Sequence, residues 1–153
     1  MNEFKKSLKN SMIQNFKNDG FLTPVIFYMN EGSPVMSIIP ENLFNSDEGK
    51  NEISSVLHLI SEIPTVTAVG MIYEAYMTKQ DKDNELTKLL VNGSLRVSEL
   101  KEKQDVIILL FSTLESETVT MIEVNPTNRE IGEITEENTG GGRFSGFYNK
   151  NKN

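Results

Sequence analysis

The 153-residue chain has no cysteine, no tryptophan, one histidine and five prolines. Without cysteine there is no disulfide framework, no thiolate nucleophile and no thiolate metal site, which agrees with a reducing, cytoplasmic setting. The single histidine, His58, has no second histidine or cysteine with which to form a metal set, so it is read as a rim residue on a helix. No stretch approaches the roughly 20 apolar residues of a membrane span, and Met1-Asn2-Glu3-Phe4-Lys5-Lys6 opens on no apolar run of signal-peptide length. A cytosolic protein without membrane contact is expected.

Chemical motifs are missing as well. No serine lies in Gly-x-Ser-x-Gly, and no glycine run ends in Gly-Lys-Ser/Thr. Gly140-Gly141-Gly142 precedes no helix that could hold a phosphate. Asp81-Lys82-Asp83-Asn84-Glu85 has the acidity of a calcium loop but lacks its central glycine and its closing glutamate. No metal and no cofactor is therefore implied.

Basic residues are scarce except at the two ends. The net charge is −7, yet residues 1 to 17 carry +3 and residues 138 to 153 carry another +3, which leaves −13 for the body between them. An acidic body repels nucleic-acid phosphates over a Debye length of about 8 to 10 Å, so binding of duplex nucleic acid is not expected.

The body reads as a single α+β domain over residues 1–137. Phe4, Leu8, Met12 and Phe16 recur every fourth residue from Asn2 to Asn18, with Ile13 widening the stripe, which predicts an amphipathic helix stopped at Gly20. Pro24 to Asn30 and Pro34 to Ile39 flank Glu31-Gly32-Ser33 as a hairpin whose prolines suit strand starts or an edge. After the loop from Pro40 to Asp47, Ser46 or Asp47 caps a helix marked by Ile53, Val56, Leu57, Ile60 and Ile63, and Pro64 ends it.

Val66 to Thr78 is apolar on both faces and predicts the centre of the sheet. Lys79 to Asp105 is a polar excursion carrying Leu86, Leu89 and Leu90. A second inner strand follows from Val106 to Thr113, then a meander through Thr118 to Val124 and Arg129 to Thr135, with Asn125-Pro126-Thr127-Asn128 as its last turn. The expectation is an antiparallel or mixed sheet of five or six strands with both helices packed on one face. The uncovered face would then need the excursion or a second copy of the chain, and a twofold homodimer follows from that.

One charge interrupts the central strand. Glu74 would be desolvated there, which raises a carboxyl pKa toward a range useful for acid or base catalysis. The structural alternative pairs it with Arg96 or a tyrosine hydroxyl, or leaves it in solvent at the strand's end. Residues 138–153 form a glycine-linked tail in which Arg143, Phe144, Phe147 and Tyr148 are candidates for binding a partner, either a protein surface or single-stranded bases.

Thr23-Pro24-Val25-Ile26-Phe27, then Gly70-Met71-Ile72-Tyr73-Glu74-Ala75-Tyr76-Met77, then Arg96-Val97-Ser98-Glu99 before an apolar strand resembles a group of small prokaryotic and phage proteins. These carry a Glu-Ala-aromatic step on a central strand, and Tyr76 is the aromatic here. The segment through Leu100-Lys101-Glu102-Lys103 departs from the group's pattern. The resemblance implies no activity. Together these features lead to a non-enzymatic accessory or protein-binding protein, encoded by a phage or a low-GC bacterium. The alternatives are a small hydrolase or transferase using Glu74, and an acidic mimic of nucleic acid that inhibits a DNA-binding enzyme.

Overall fold

The computed structural model describes residues 2–77, 104–125 and 127–138. Among these residues two helices and six strands form an α+β arrangement. Helix α1 (Asn2–Asp19) precedes the hairpin of β1 (Val25–Asn30) and β2 (Ser33–Ile38). A short 3-10 turn at Glu41–Asn45 leads into α2 (Asp47–Ser61). Strands β3 (Val66–Met77), β4 (Gln104–Ser112), β5 (Glu117–Val124) and β6 (Ile131–Asn138) complete the sheet, whose order is β2-β1-β3-β4-β5-β6. Every pairing is antiparallel. The two strands read as apolar on both faces, β3 and β4, are the two at its centre.

Local chemistry sets the boundaries. Gly20 at φ 78° stops α1, its N–H donating to the Phe16 carbonyl at 2.8 Å. That is the left-handed C-terminal cap which glycine adopts without steric cost. Ser46 caps α2, its Oγ accepting from the Gly49 N–H at 3.0 Å. Glu31 and Gly32 both take positive φ, 51° and 79°, as the central residues of a two-residue hairpin turn must when the turn follows the twist of its strands.

The helices lie on opposite faces of the sheet, which corrects the expectation that both pack on one. Leu8, Met12 and Phe16 of α1 share a core with Phe27, Ala68, Ile72, Ile107, Leu109, Phe111, Ile122 and Val124. Ile53 and Leu57 of α2 pack instead with Ile26, Val69, Met71 and Leu110. Neighbouring residues of one strand, such as Met71 and Ile72, thus belong to different cores, because successive side chains of a strand point to opposite faces. A strand apolar on both sides needs cover on both, and with α1 seated on one face the second helix meets the other. The α2 stripe is also narrower than its sequence reads: Ile53 and Leu57 are buried, whereas Val56 and Ile63 are exposed.

A glycine at the middle of β3 shapes the α1 face. A Cβ at Gly70 would lie 1.9 Å from the Leu110 carbonyl oxygen and 2.6 Å from the Phe27 ring. Gly70 is paired with Phe27 on one side and Phe111 on the other, and the two rings stack at 5.7 Å between centroids. Phe4 sets its edge against both, at 5.9 and 5.8 Å. Such aromatic pairs add about 0.5 to 1.5 kcal/mol each beyond the area they bury.

Candidate functional site

Glu74 lies on the α1 face near the end of β3, in the same alternation as Ala68 and Ile72. Its partner is Arg129, a residue that the sequence placed only on a polar outer strand. The Arg129 Nη2 donates to Glu74 Oε1 at 2.5 Å, and Nη1 donates to Asp105 Oδ2 on β4 at 3.0 Å. The second Glu74 oxygen accepts from the Leu22 N–H at 3.1 Å. Both oxygens of the candidate catalytic carboxylate are therefore engaged.

The same guanidinium reaches the end of α1. Nε and Nη2 both approach the Gly20 carbonyl oxygen at 3.4 Å, and the group sits over the Phe16 ring at 5.0 Å. Arginine suits this position because its planar fork offers several donors at once and stacks on aromatic faces. Arg129 thus joins the helix stop, the end of β3 and the start of β4.

The turn between β5 and β6 holds Arg129 in place. Its φ is 61°, in the left-handed region that a non-glycine residue occupies only when its surroundings over-determine it. Asn125 Oδ1 accepts from the N–H groups of Thr127 and Asn128 at 2.8 and 3.2 Å, and the Arg129 N–H donates to the Asn125 carbonyl at 2.8 Å. Asn128 Oδ1 accepts from the Glu130 N–H at 2.9 Å. Strand pairing placed this turn within reach, because Asp105 sits opposite Val124, the last residue of β5.

Glu74, Arg129 and Asp105 keep 31, 34 and 19% of their side-chain area exposed. The cluster is a half-buried clamp at the rim of the α1 face. Within it, the Glu74 carboxylate accepts from both a guanidinium and a backbone N–H. As a general base it would first have to release its partners. A shallow depression lined by Glu48, Asn51, Glu52, Ser55 and Val56 lies on the outer side of α2, across the sheet from Glu74.

The remaining sequence candidates fall elsewhere. Arg96 and the acidic run at Asp81–Glu85 lie outside the described residues, as do Arg143, Phe144, Phe147 and Tyr148 of the tail. His58 stands at the rim of α2, its Nε2 3.0 Å from Glu62 Oε1. Among the described residues no three histidine, aspartate or glutamate side chains are grouped to hold a metal. Tyr73, pointing to the α2 face, stacks on Phe44 at 5.9 Å, and burial pushes its hydroxyl up to about 12. A phenol so raised stays protonated at neutral pH and is a weak acid catalyst there. Among the described residues no helix is long and apolar enough to cross a membrane. No family model matches the chain, and no curated protein or solved structure is significantly similar to it.

Proposed function

We propose that this chain is a non-enzymatic accessory protein that acts through protein contacts in a reducing cytoplasm, encoded by a phage or a low-GC bacterium. The observation that carries the reading is the engagement of both Glu74 oxygens by Arg129 and the Leu22 N–H. The carboxylate with the best claim to catalysis serves instead to fasten a helix end to the sheet. The cellular setting is supported by the missing cysteines, and the source by the asparagine and lysine bias of the sequence. The acidic-mimic reading is second to it, supported by Glu130, Glu133, Glu136 and Glu137 in and beside β6.

The test is a panel of phosphoester, acyl and nucleotide substrates offered to the parent protein and to Glu74→Gln. No turnover by either is expected. Turnover by the parent that Glu74→Gln abolishes, with its fold intact by circular dichroism, would overturn the reading in favour of a hydrolase or transferase. Competition with duplex DNA for a DNA-binding enzyme would favour the mimic.

A further inference from the structure

Both edges of the sheet are formed by exposed strands, and they differ in charge. Strand β6 carries Glu133, Glu136 and Glu137, as suits an edge guarded against further pairing. Strand β2, Ser33-Pro34-Val35-Met36-Ser37-Ile38, carries none. From Gly20 to Pro40 the only charged residue is Glu31, in a chain of which 24% is charged. Met36 and Ile38 keep 55 and 70% of their surface exposed. Among the described residues no strand pairs with the outer side of β2.

The hydrogen-bond phase shows which groups face outward. In an antiparallel pair, opposed residues alternate between bonded and non-bonded. The Ile39 N–H donates to the Pro24 carbonyl at 2.8 Å, so the register assigns Ile26 with Ser37, Tyr28 with Val35 and Asn30 with Ser33 as the bonded pairs. Pro34, Met36 and Ile38 then turn their backbone polar groups away from β1. Their side chains share the α1 face, since they stand opposite Met29, Phe27 and Val25. The free donors are Met36 and Ile38, because proline has no N–H to give.

We infer that this edge pairs with the same edge of a second copy, β2 against β2 about a twofold axis. The inference deepens the protein-binding reading and rests on it, naming the surface and the partner. With Met36 opposite Met36, each Met36 N–H meets the Met36 carbonyl of the other copy, and each Ile38 N–H meets the other copy's Pro34 carbonyl. Both outward donors are then satisfied, while the Ile38 carbonyl faces the other copy's Pro34 and gains no bond there, because proline has no N–H. Met36 packs on Met36 and Ile38 on Pro34, which removes the exposed apolar side chains from water. Charge selects the partner. Two copies of a protein at −7 repel except where carboxylates are absent, and the β1–β2 edge is such a place. A basic partner would instead find its complement along β6.

Sedimentation equilibrium of the full chain at tens of micromolar, at low and moderate salt, tests the pairing. The expected mass is about twice the 17.3 kDa of one chain, with tighter association at moderate salt as residual repulsion is screened. Met36→Lys sets like charges face to face on the axis. Met36→Pro deletes one outward donor and leaves the β1–β2 ladder bonds in place. Each should weaken association at least tenfold with an unchanged circular dichroism spectrum. If Met36→Pro fails to fold, Met36→Lys decides, because its side chain is exposed in the monomer. Ile134→Lys on β6 should leave the mass unaltered. A monomeric parent at both salts, a dimer that Met36→Lys leaves intact, or a dimer lost to Ile134→Lys overturns the inference. A monomeric parent that also lacks turnover overturns self-pairing alone, whereas turnover dependent on Glu74 overturns the function proposed above.

Discussion

The two faces of the sheet hold their helices by different means. On one, α1 packs an aromatic cluster over Gly70 and is tied at both ends, by Arg129 at its C-terminal stop and by Lys5 near its start. On the other, α2 rests on an aliphatic core and a close backbone approach, since a Cβ at Gly49 would fall 2.2 Å from the Leu43 carbonyl oxygen. Apolar burial supplies adhesion on both faces but is non-directional. The ion pairs of the α1 face fix where the helix begins and ends along the strands. A polar group near a core can thus act in positioning, and its presence on a central strand is not by itself a sign of catalysis.

Substituting the two glycines compares the faces most directly and should give the largest effects. Gly70→Ala presses a methyl group into the backbone of the central neighbour strand and into the Phe27 ring, and neither can retreat without disturbing the ladder. Overpacking commonly costs about 1 to 3 kcal/mol and occasionally more, and Gly70→Ala belongs at or beyond the upper end. Gly49→Ala meets only the 3-10 turn at Glu41–Asn45, which can shift as a unit, and about half that loss is expected. Urea midpoints measure both. Equal losses would mean that the two faces are equally rigid.

Arg129→Ala removes the tie at the α1 stop and leaves Glu74 and Asp105 facing one another without their common cation. Breaking a buried pair costs about 3 to 5 kcal/mol. The three side chains here are a fifth to a third exposed, so a loss of about 2 kcal/mol is expected. Hydrogen exchange should locate it, with faster exchange at the Leu22 amide and in the last turn of α1 while α2 is unchanged. A loss spread evenly over both helices would show that the clamp does not act locally.

Much of this arrangement was legible in the sequence. The four-residue spacing from Phe4 to Phe16, the glycine stop, the Ser46 cap and the two-faced run from Val66 each have one simple structural solution. The side of the sheet taken by α2 was not legible: the double apolar alternation of β3 requires cover on both faces but does not say which element supplies it. The partner of Glu74 was missed for a different reason. Arg96 is the nearer arginine in sequence, whereas meander geometry returns the β5–β6 turn to the end of β3. Counting back from Asn125-Pro126 to Asp105 would have brought Arg129 to the right end of the sheet. Its left-handed backbone had no sequence signal, since nothing in Thr127-Asn128-Arg129-Glu130 marks the arginine rather than an asparagine for that conformation.

Tyr73 gives a probe confined to the α2 face. Its hydroxyl is raised to about 12 by burial, so folding favours the neutral phenol. That contribution is complete below the ordinary tyrosine value of about 10 and is lost as pH rises through 12, amounting to about 3 kcal/mol at most. Spectrophotometric titration should show a late-ionising tyrosine that Tyr73→Phe removes. If Arg129→Ala also brings that ionisation down to about 10, the faces are coupled and the contrast between them fails.

The smallest expected effect lies at the other end of α1. Lys5 Nζ is 3.1 Å from Glu136 Oε1 and 3.4 Å from Thr118 Oγ1, and Thr120 Oγ1 donates to the same glutamate oxygen at 3.1 Å. Partial burial pulls the Glu136 carboxyl upward, but the Lys5 hydrogen bond and charge, the Thr120 hydroxyl and the more distant Lys9 outweigh it, so the net direction is down. A carboxyl lowered by folding adds stability above its unfolded value of about 4.3 and loses it as pH falls through the lowered value. The glutamate side chain is 47% exposed, so solvent screens the pair, and exposed ion pairs contribute about 0.2 to 1 kcal/mol. Lys5→Met should therefore cost about 0.5 kcal/mol at pH 7, and the difference from the parent should shrink toward zero as pH falls through the lowered carboxyl value. Moderate salt should diminish it too, whereas the Arg129 effect, being less exposed, should persist in the same buffer. A Lys5→Met deficit independent of both pH and salt would assign the loss to packing of the lysine stem on Phe111, over which its ammonium lies at 5.9 Å.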